Sequence, residues 1–582
     1  MPRPQKAEKP IFAEPIAEPI QGTTIVVLHP GSSTLQLGRA TDHFPQSLPH
    51  VIAYRCKEDG AFCVKETNSL IRNGIWHPDS EEKRQGALQA TNQLINAMRV
   101  SFGYRRPHIS IAQIASFNNK VIPDTIQGES GVCWSDVSEN PEILIGEQAQ
   151  YLDPNAPYET TWPIRNGTLN IHNGIGGSLS SVSSKLETLW SLAIQMFLDI
   201  PAKDFQYYRV VLVVPDIVNR HHLKEIYDIL LNRLGFSAVI MHQESVCATF
   251  GSGLPSACVV DVGDQKTSIC CVEDGISLPN SRIKLNYGGS DITRCFNWLL
   301  QRISFPYKEC DINDKLDIYL LQDLKETFCH LSLDIPVGHV HEFQVYRPQE
   351  SGLLYQIKLG DEPLQAPIAY FIPRLLGLVG QKVWTSNLEL ADHDPEDLYD
   401  DKYLLEVQLR EPSAKKGRTD LDTSSELNER VDSILLHVGN SKQGDFSRSH
   451  LNCTEIEELS IDQAISKSIE SCGSYETKRK MYSTILIVGG GMMFKGANNF
   501  LMRRVQAQVP TAFHFMRDQM EVITRPKDMD PRTVCWKGGA VLSILDSAQE
   551  LWINRKELND FGVRILREKS AFQWSVNLSD KQ

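Results

Sequence analysis

The fold class this sequence predicts is α/β, a two-lobed body with large insertions, and three observations predict it. Between 209 and 261, β-branched apolar runs alternate with stretches of helical periodicity, the pattern of a sheet covered by helices. Three glycine-containing turns each follow such a run: His29-Pro30-Gly31-Ser32-Ser33-Thr34, Asp261-Val262-Gly263-Asp264 and Val488-Gly489-Gly490-Gly491. With 582 residues, the chain is long enough to build two lobes and still carry insertions.

The elements follow in order. Residues 1–22 hold two tandem copies of Ala-Glu-Pro-Ile, and a proline at every fourth position forbids a helix, so an extended arm is expected. A buried strand at 24–28 returns as a hairpin at 35–39. The stretch from 55 to 140 is irregular apart from a helix at 81–99 and a basic-aromatic patch, Tyr104-Arg105-Arg106; compact structure resumes at 143–149. A helix at 185–199 precedes strand 209–214, helix 220–235, strand 238–241, helix 244–252 and strand 258–261. An N-cap at Ser290 or Asp291 opens a helix through 302, and another helix covers 317–328. From 374 a helix gives way to an acidic run, Glu389 to Asp401, then to a basic stretch at 413–418; with little periodicity, part of this reads as a flexible insertion. Compact structure returns at 459–472, followed by strand 484–488 and helix 497–505. Trp536-Lys537-Gly538-Gly539-Ala540 leads into a helix at 541–552 and is read as architectural.

Composition excludes several classes. A net charge of −13, from 59 basic and 72 acidic residues, rules out a generic polyanion binder. Basic partners such as histones fit it better, and any DNA contact needs a local basic patch. Thirteen cysteines without a C-x-x-C pair argue against a disulfide framework or a zinc cluster, and for a reducing cytosolic or nuclear setting. Met1-Pro2-Arg3-Pro4-Gln5-Lys6 offers no apolar signal core, and the longest apolar stretch, around 485–494, is broken by three glycines. The expectation is a soluble intracellular protein with no membrane contact.

The turns carry the chemistry. Gly31–Ser33 presents successive backbone donors and hydroxyls, an anion-binding concavity. Asp261 and Asp264 flank Gly263, and in a nucleotide cleft such carboxylates hold the water shell of Mg²⁺; the plainer alternative is a turn whose aspartates cap backbone N–H groups. Gly489-Gly490-Gly491 lies between a strand and a helix, where a phosphate or adenosine can approach because no side chain blocks it; a tight turn without ligand is the alternative.

In this order the motifs resemble the actin fold, a duplicated ribonuclease-H-like ATPase architecture. Gln243-Glu244-Ser245-Val246, Gly288-Gly289-Ser290-Asp291-Ile292-Thr293, Asp323-Leu324-Lys325-Glu326 and the run from Trp536 to Gly562 extend the likeness. The divergent first hairpin and the insertions make the chain most similar to a nuclear branch of the actin-related protein family, found in chromatin-remodelling complexes of the INO-eighty type. The resemblance implies an arm at 1–22, a first lobe at 23–280 with an insertion at about 60–140, a second lobe at 281–505 with an insertion at about 375–455, and a return to the first lobe at 506–582. It implies phosphate contacts at Gly31, Ser32, Ser33, Thr34, Asp261, Val262, Gly263 and Asp264, with Asp261 and Asp264 reaching Mg²⁺ through water. Adenine and ribose contacts are implied at Lys325, Glu326, Gly489, Gly490 and Gly491.

The cofactor so implied is ATP or ADP. Gln243 falls where actin orients its attacking water. His29 stands in place of an aspartate near the metal, Gln36 in place of a phosphate-gripping lysine, Gln265 in place of a glycine, and Lys266 is an added charge. Binding with little or no hydrolysis is therefore expected, Gln243 being vestigial and no residue catalytic. Implied partners are a helical segment of the remodeller motor, actin and other actin-related proteins, and histones or the nucleosome, with DNA contact open. The implied setting is the nucleus, with roles in transcription regulation, DNA repair and recombination. An active ATPase or kinase of the same fold and a filament-forming relative are the competing readings.

Overall fold

A computed structural model describes residues 21–56, 78–101, 103, 109–126, 131–377, 383–385 and 459–570. Two sheets carry the fold. The first has six strands in the order Ile553–Asn554, Ala238–Gln243, Arg209–Val214, Ile25–Pro30, Thr34–Arg39 and Gln46–Pro49. The second runs Val383–Thr385, Ile283–Leu285, Thr267–Glu273, Ser256–Val262, Thr484–Val488 and Glu521–Ile523, with Ile276–Ser277 pairing beside Thr267–Glu273.

The two sheets repeat one arrangement. In each, an antiparallel hairpin is followed along the sheet by two parallel strands: Ile25–Pro30 pairs antiparallel with Thr34–Arg39 and parallel with Arg209–Val214, as Ser256–Val262 does with Thr267–Glu273 and Thr484–Val488. Val210, Val211, Leu212 and Val213 are fully buried, which is why that central strand reads as an unbroken apolar run. The repeat places both hairpin turns at equivalent ends of their sheets.

Helices Glu244–Ser252 and Val534–Ser543 pack between the sheets. Their core joins Val27, Val211 and Val213 of the first sheet to Val259, Val272 and Val488 of the second. The Trp536 indole N–H donates to the Val27 carbonyl at 3.1 Å, fastening the later helix to the first sheet. The helices touch through glycines: a Cβ added at Gly251 or Gly538 would come under 3.0 Å from the Val534 or Cys247 carbonyl oxygen of the facing helix.

Several expectations are corrected. The second sheet begins at Ser256 and takes in Glu521–Ile523, so the division falls near 253–255 and the return to the first lobe comes later than 506. Of the 60–140 insertion, residues 78–101 and 109–126 are seated on the second lobe. Its helix Pro78–Ser101 buries Arg84, whose Nε donates to the Leu375 carbonyl at 2.8 Å and whose guanidinium lies 4.2 Å from the Trp298 ring centre. Arg99 forks onto Asp361, and Asp124–Thr125 pairs with Leu353–Lys358.

Trp536 to Ala540 lie within helix Val534–Ser543 and not ahead of it. Helix Leu179–Leu198 starts earlier than expected, capped by Ser178, and the 220–235 helix divides into Arg220–Asp228 and a wider turn at Ile229–Arg233. The helix Gly289–Arg302 is capped by Gly288, with the Asp291 carboxylate accepting from the Gly288 N–H at 2.9 Å. Cys56 is disulfide-bonded, while the other described cysteines are free. The arm at 1–20, Tyr104-Arg105-Arg106, the acidic run 389–401 and the basic stretch 413–418 lie outside the described residues. No described helix is long and apolar enough to cross a membrane.

Candidate nucleotide-binding cleft

The first hairpin turn is built to be tight. The Gly31 N–H donates to the Thr34 carbonyl at 2.9 Å, and a Cβ at Gly31 would sit 2.7 Å from that oxygen. Behind the turn, the Gly31 carbonyl accepts from His50 Nδ1 at 2.7 Å, and the Trp190 indole donates to His50 Nε2 at 3.1 Å. A carbonyl only accepts and an indole N–H only donates, so His50 is neutral with its proton on Nδ1. Burial holds its pKa down at about 4. A histidine with a depressed folded value binds protons more readily when unfolded, so stability is lost as pH falls from 6.5 towards 4. We expect the unfolding midpoint to drop over that window, and His50→Gln to flatten the dependence while costing about 1–3 kcal/mol at pH 7; an unaltered slope in chemical denaturation across pH would refute the assignment.

The other glycine segments converge. Gly263 N–H donates to the Lys266 carbonyl at 2.9 Å and closes the second hairpin. Gly289 and Ser290 N–H groups donate to the Gly263 and Asp264 carbonyls at 3.0 and 2.8 Å, and Gly491 N–H reaches the Val262 carbonyl at 2.8 Å. Gly489 has φ +83°, and a Cβ there would lie 2.5 Å from Asp261 Oδ1. Lys325 Nζ donates to the Gly289 carbonyl at 3.2 Å. The structure thus gathers Asp261, Val262, Gly263, Asp264, Lys325 and Gly489–Gly491 into one site. Beside them opens a cavity of about 760 Å³, walled by Glu326, Gly489, Met492, Met493, Phe494 and Pro531, within the size range of small-molecule pockets.

A third turn, not anticipated, ties the two hairpins. Asn166 and Gly167, at φ +50° and +71°, link strands Ile164–Arg165 and Thr168–Leu169. Gly167 N–H donates to Ser32 Oγ at 2.9 Å, and Asn166 N–H to Gln265 Oε1 at 3.0 Å. The Asn-Gly pair is the strongest short hairpin signal and could have revealed it.

The cleft floor is filled by charges from both lobes. Lys266 Nζ pairs with Glu244, approaches Asp261 Oδ2 at 4.0 Å and donates to Ser268 Oγ at 3.3 Å. His29, the residue in the aspartate position, faces Gln36 Oε1 through Nδ1 and Glu244 Oε1 through Nε2, both at 3.4 Å. The Gln36 amide donates to the Arg532 carbonyl at 2.9 Å.

Burial, with Glu244 beside it, pushes the Asp261 carboxyl well above its ordinary value, against the pull of Lys266. Burial likewise raises Asp264 to about 6, with Lys325 opposing. For Lys266 burial pulls downward, but Glu244 and Asp261 outweigh it and raise the pKa. Gln243 is buried, its amide N–H donating to the Asp216 carbonyl at 3.1 Å and its Oε1 accepting from Ser277 and Arg282. These bonds fix the side chain, with Oε1 doubly engaged and one of its two amide N–H donors turned to the Asp216 carbonyl.

These residues do not fit the expected Mg²⁺ at Asp261. That ion is bound through oxygen ligands and several waters. Here Asp261 faces an ammonium and a nearby imidazole. Repulsion between charges 4 Å apart is on the order of 4 kcal/mol per unit pair near a protein surface. Asp264 sits among Lys325, Asp291 and Glu326, a different set of neighbours.

Comparison with known proteins places these features in context. The family model described as Actin matches residues 20–328 and 408–571. Actin-related protein 8 of Bos taurus is 48% identical, covering 95% of this chain and 93% of its own length. That of Aedes aegypti is 39% identical, over 96% and 99%. The solved structure described as human actin-related protein Arp8 in its ATP-bound state superposes with a TM-score of 0.81 at 46% identity, covering 97% of this chain and all of that one.

Proposed function

The chain belongs to the actin family, and on that premise we propose that it is a non-catalytic or barely catalytic ATP-binding subunit of a nuclear chromatin-remodelling complex. The observation that carries the reading is the contrast within one cleft. The glycine turns that admit a nucleotide are assembled, while Gln243 is locked by interior hydrogen bonds and Gln36 spends its amide on Arg532. A neighbour described as ATP-bound supports the ligand. Removing one preorganised group from a transition state costs on the order of a hundred- to a thousandfold in rate. Binding survives such losses better, and a ligand held only by the folded state adds stability without being consumed.

Nuclear location, membership of an INO-eighty type complex, and contacts with actin-like partners, a motor helical segment and histones or nucleosomal DNA rest on the sequence resemblance. The net charge of −13 favours histones over DNA as the general attraction.

The test pairs two measurements on the purified full chain. ATP or ADP is expected to raise the thermal unfolding midpoint, while phosphate release stays far below that of actin assayed alongside. Turnover matching actin overturns the non-catalytic reading, and no midpoint shift with either nucleotide overturns binding.

A further inference from the structure

We propose that Lys266 supplies from within the chain the positive charge that a divalent cation would bring to the hairpins, so that an adenine nucleotide is held in this cleft without metal. The inference rests on the nucleotide-binding reading above and names what that site lacks and what replaces it.

Position is the first argument. Lys266 closes the second hairpin through its carbonyl, and its stem passes Gly167 so closely that a Cβ there would lie 3.0 Å from Lys266 Cδ and Cε. Gly167 in turn clasps Ser32 of the first hairpin. The Lys266 stem is thereby held against the turn that ties the first hairpin to the second, and its ammonium lies between Glu244 and Asp261.

The partners are the second argument. An ammonium has three donors. One is directed at Glu244 and one at Ser268 Oγ, with Asp261 at 4.0 Å on the remaining side. Glu244 comes from the first lobe and Lys266 and Asp261 from the second, so the pair stitches the floor of the cleft. At nearly complete burial a lysine persists as a charge only when matched in this way. His29 occupies the remaining approach to Glu244 and brings a ring nitrogen where a hard cation wants oxygen. Among the described residues no group of three His, Cys, Asp or Glu side chains is arranged to hold a metal ion.

The experiment measures ATP and ADP affinity of the full-length chain by equilibrium binding and by thermal shift, once with excess EDTA and once with Mg²⁺. Equal affinity within about twofold in the two buffers is expected. Binding seen only with Mg²⁺ overturns the inference and leaves the nucleotide-binding reading intact; binding in neither overturns that reading itself. A second arm uses Lys266→Met combined with Glu244→Gln, which removes the ammonium together with the carboxylate it pairs with most closely. Its affinity in EDTA is expected to fall at least tenfold, while Lys266→Arg retains metal-free binding. Unchanged affinity of the folded double variant in EDTA overturns the role of Lys266. If the double variant fails to fold, the wild-type comparison in EDTA decides.

Discussion

Gly538→Ala is expected to destabilise the protein by more than about 4 kcal/mol, the range reached by few single substitutions. Helix propensity alone predicts the opposite, since alanine is favoured over glycine by about 1 kcal/mol in a helix interior. The reversal comes from the crossing with helix Glu244–Ser252, where the new methyl would overlap the Cys247 carbonyl and alpha carbon. Both obstacles are backbone, so no rotamer change relieves them, and only separation of the helices would. That separation opens the core shared by Val27, Val211, Val259 and Trp536. Urea denaturation measures the effect. A variant as stable as the parent would show that the two helices do not meet through their glycines.

Gly489→Ala is the second large effect, and it falls on binding as well as stability. The residue sits at φ +83°, which costs an L-residue roughly 1–2 kcal/mol. The added methyl also collides with the Val262 carbonyl and with Asp261 Oδ1, and overpacking of that kind costs about 1–3 kcal/mol more. A loss of about 3 kcal/mol is expected, with nucleotide affinity reduced at least tenfold because the second hairpin must move. Gly490 provides the control. A Cβ there would meet only the Arg532 side chain, at 3.5 Å, so Gly490→Ala is expected to stay close to the parent in both measurements. Equal effects at the two positions would sink the argument.

The hairpins were readable from sequence because their geometry leaves little choice. A strand of fully buried β-branched residues ending at a glycine has few other places to go, and Ile25–Pro30, Ser256–Val262 and Thr484–Val488 all formed. Sheet membership was not readable, since Ser256–Val262 looks the same as a strand whichever sheet it joins. Trp536 to Ala540 reads in sequence as the lead-in to a helix, yet it lies inside Val534–Ser543: two glycines lower the local helix propensity, and tertiary packing overrides it.

The added charge of Lys266 was visible in the sequence, but its pairing with Glu244, 22 residues away, arises only when both lobes close on the same floor. The sequence shows Gln36 where the resemblance expects a lysine; that its amide donates to the Arg532 carbonyl, 496 positions later, is a fact of the fold.

The way the early insertion is seated has a consequence for how the chain comes apart. Lying in sequence between strands Gln46–Pro49 and Arg209–Val214 of the first sheet, residues 78–101 and 109–126 dock on the second lobe through Arg84, Arg99 and the Asp124–Thr125 pairing, while Ile553–Asn554 comes back from the far end to finish the first sheet. No single scissor cut therefore yields two self-sufficient halves: severing the backbone at the lobe boundary strands a piece of each half in the other. Such a molecule is expected to melt in a single calorimetric transition, and fragments made to represent either lobe alone are expected to expose apolar faces and precipitate; two separated transitions would show that the lobes unfold independently.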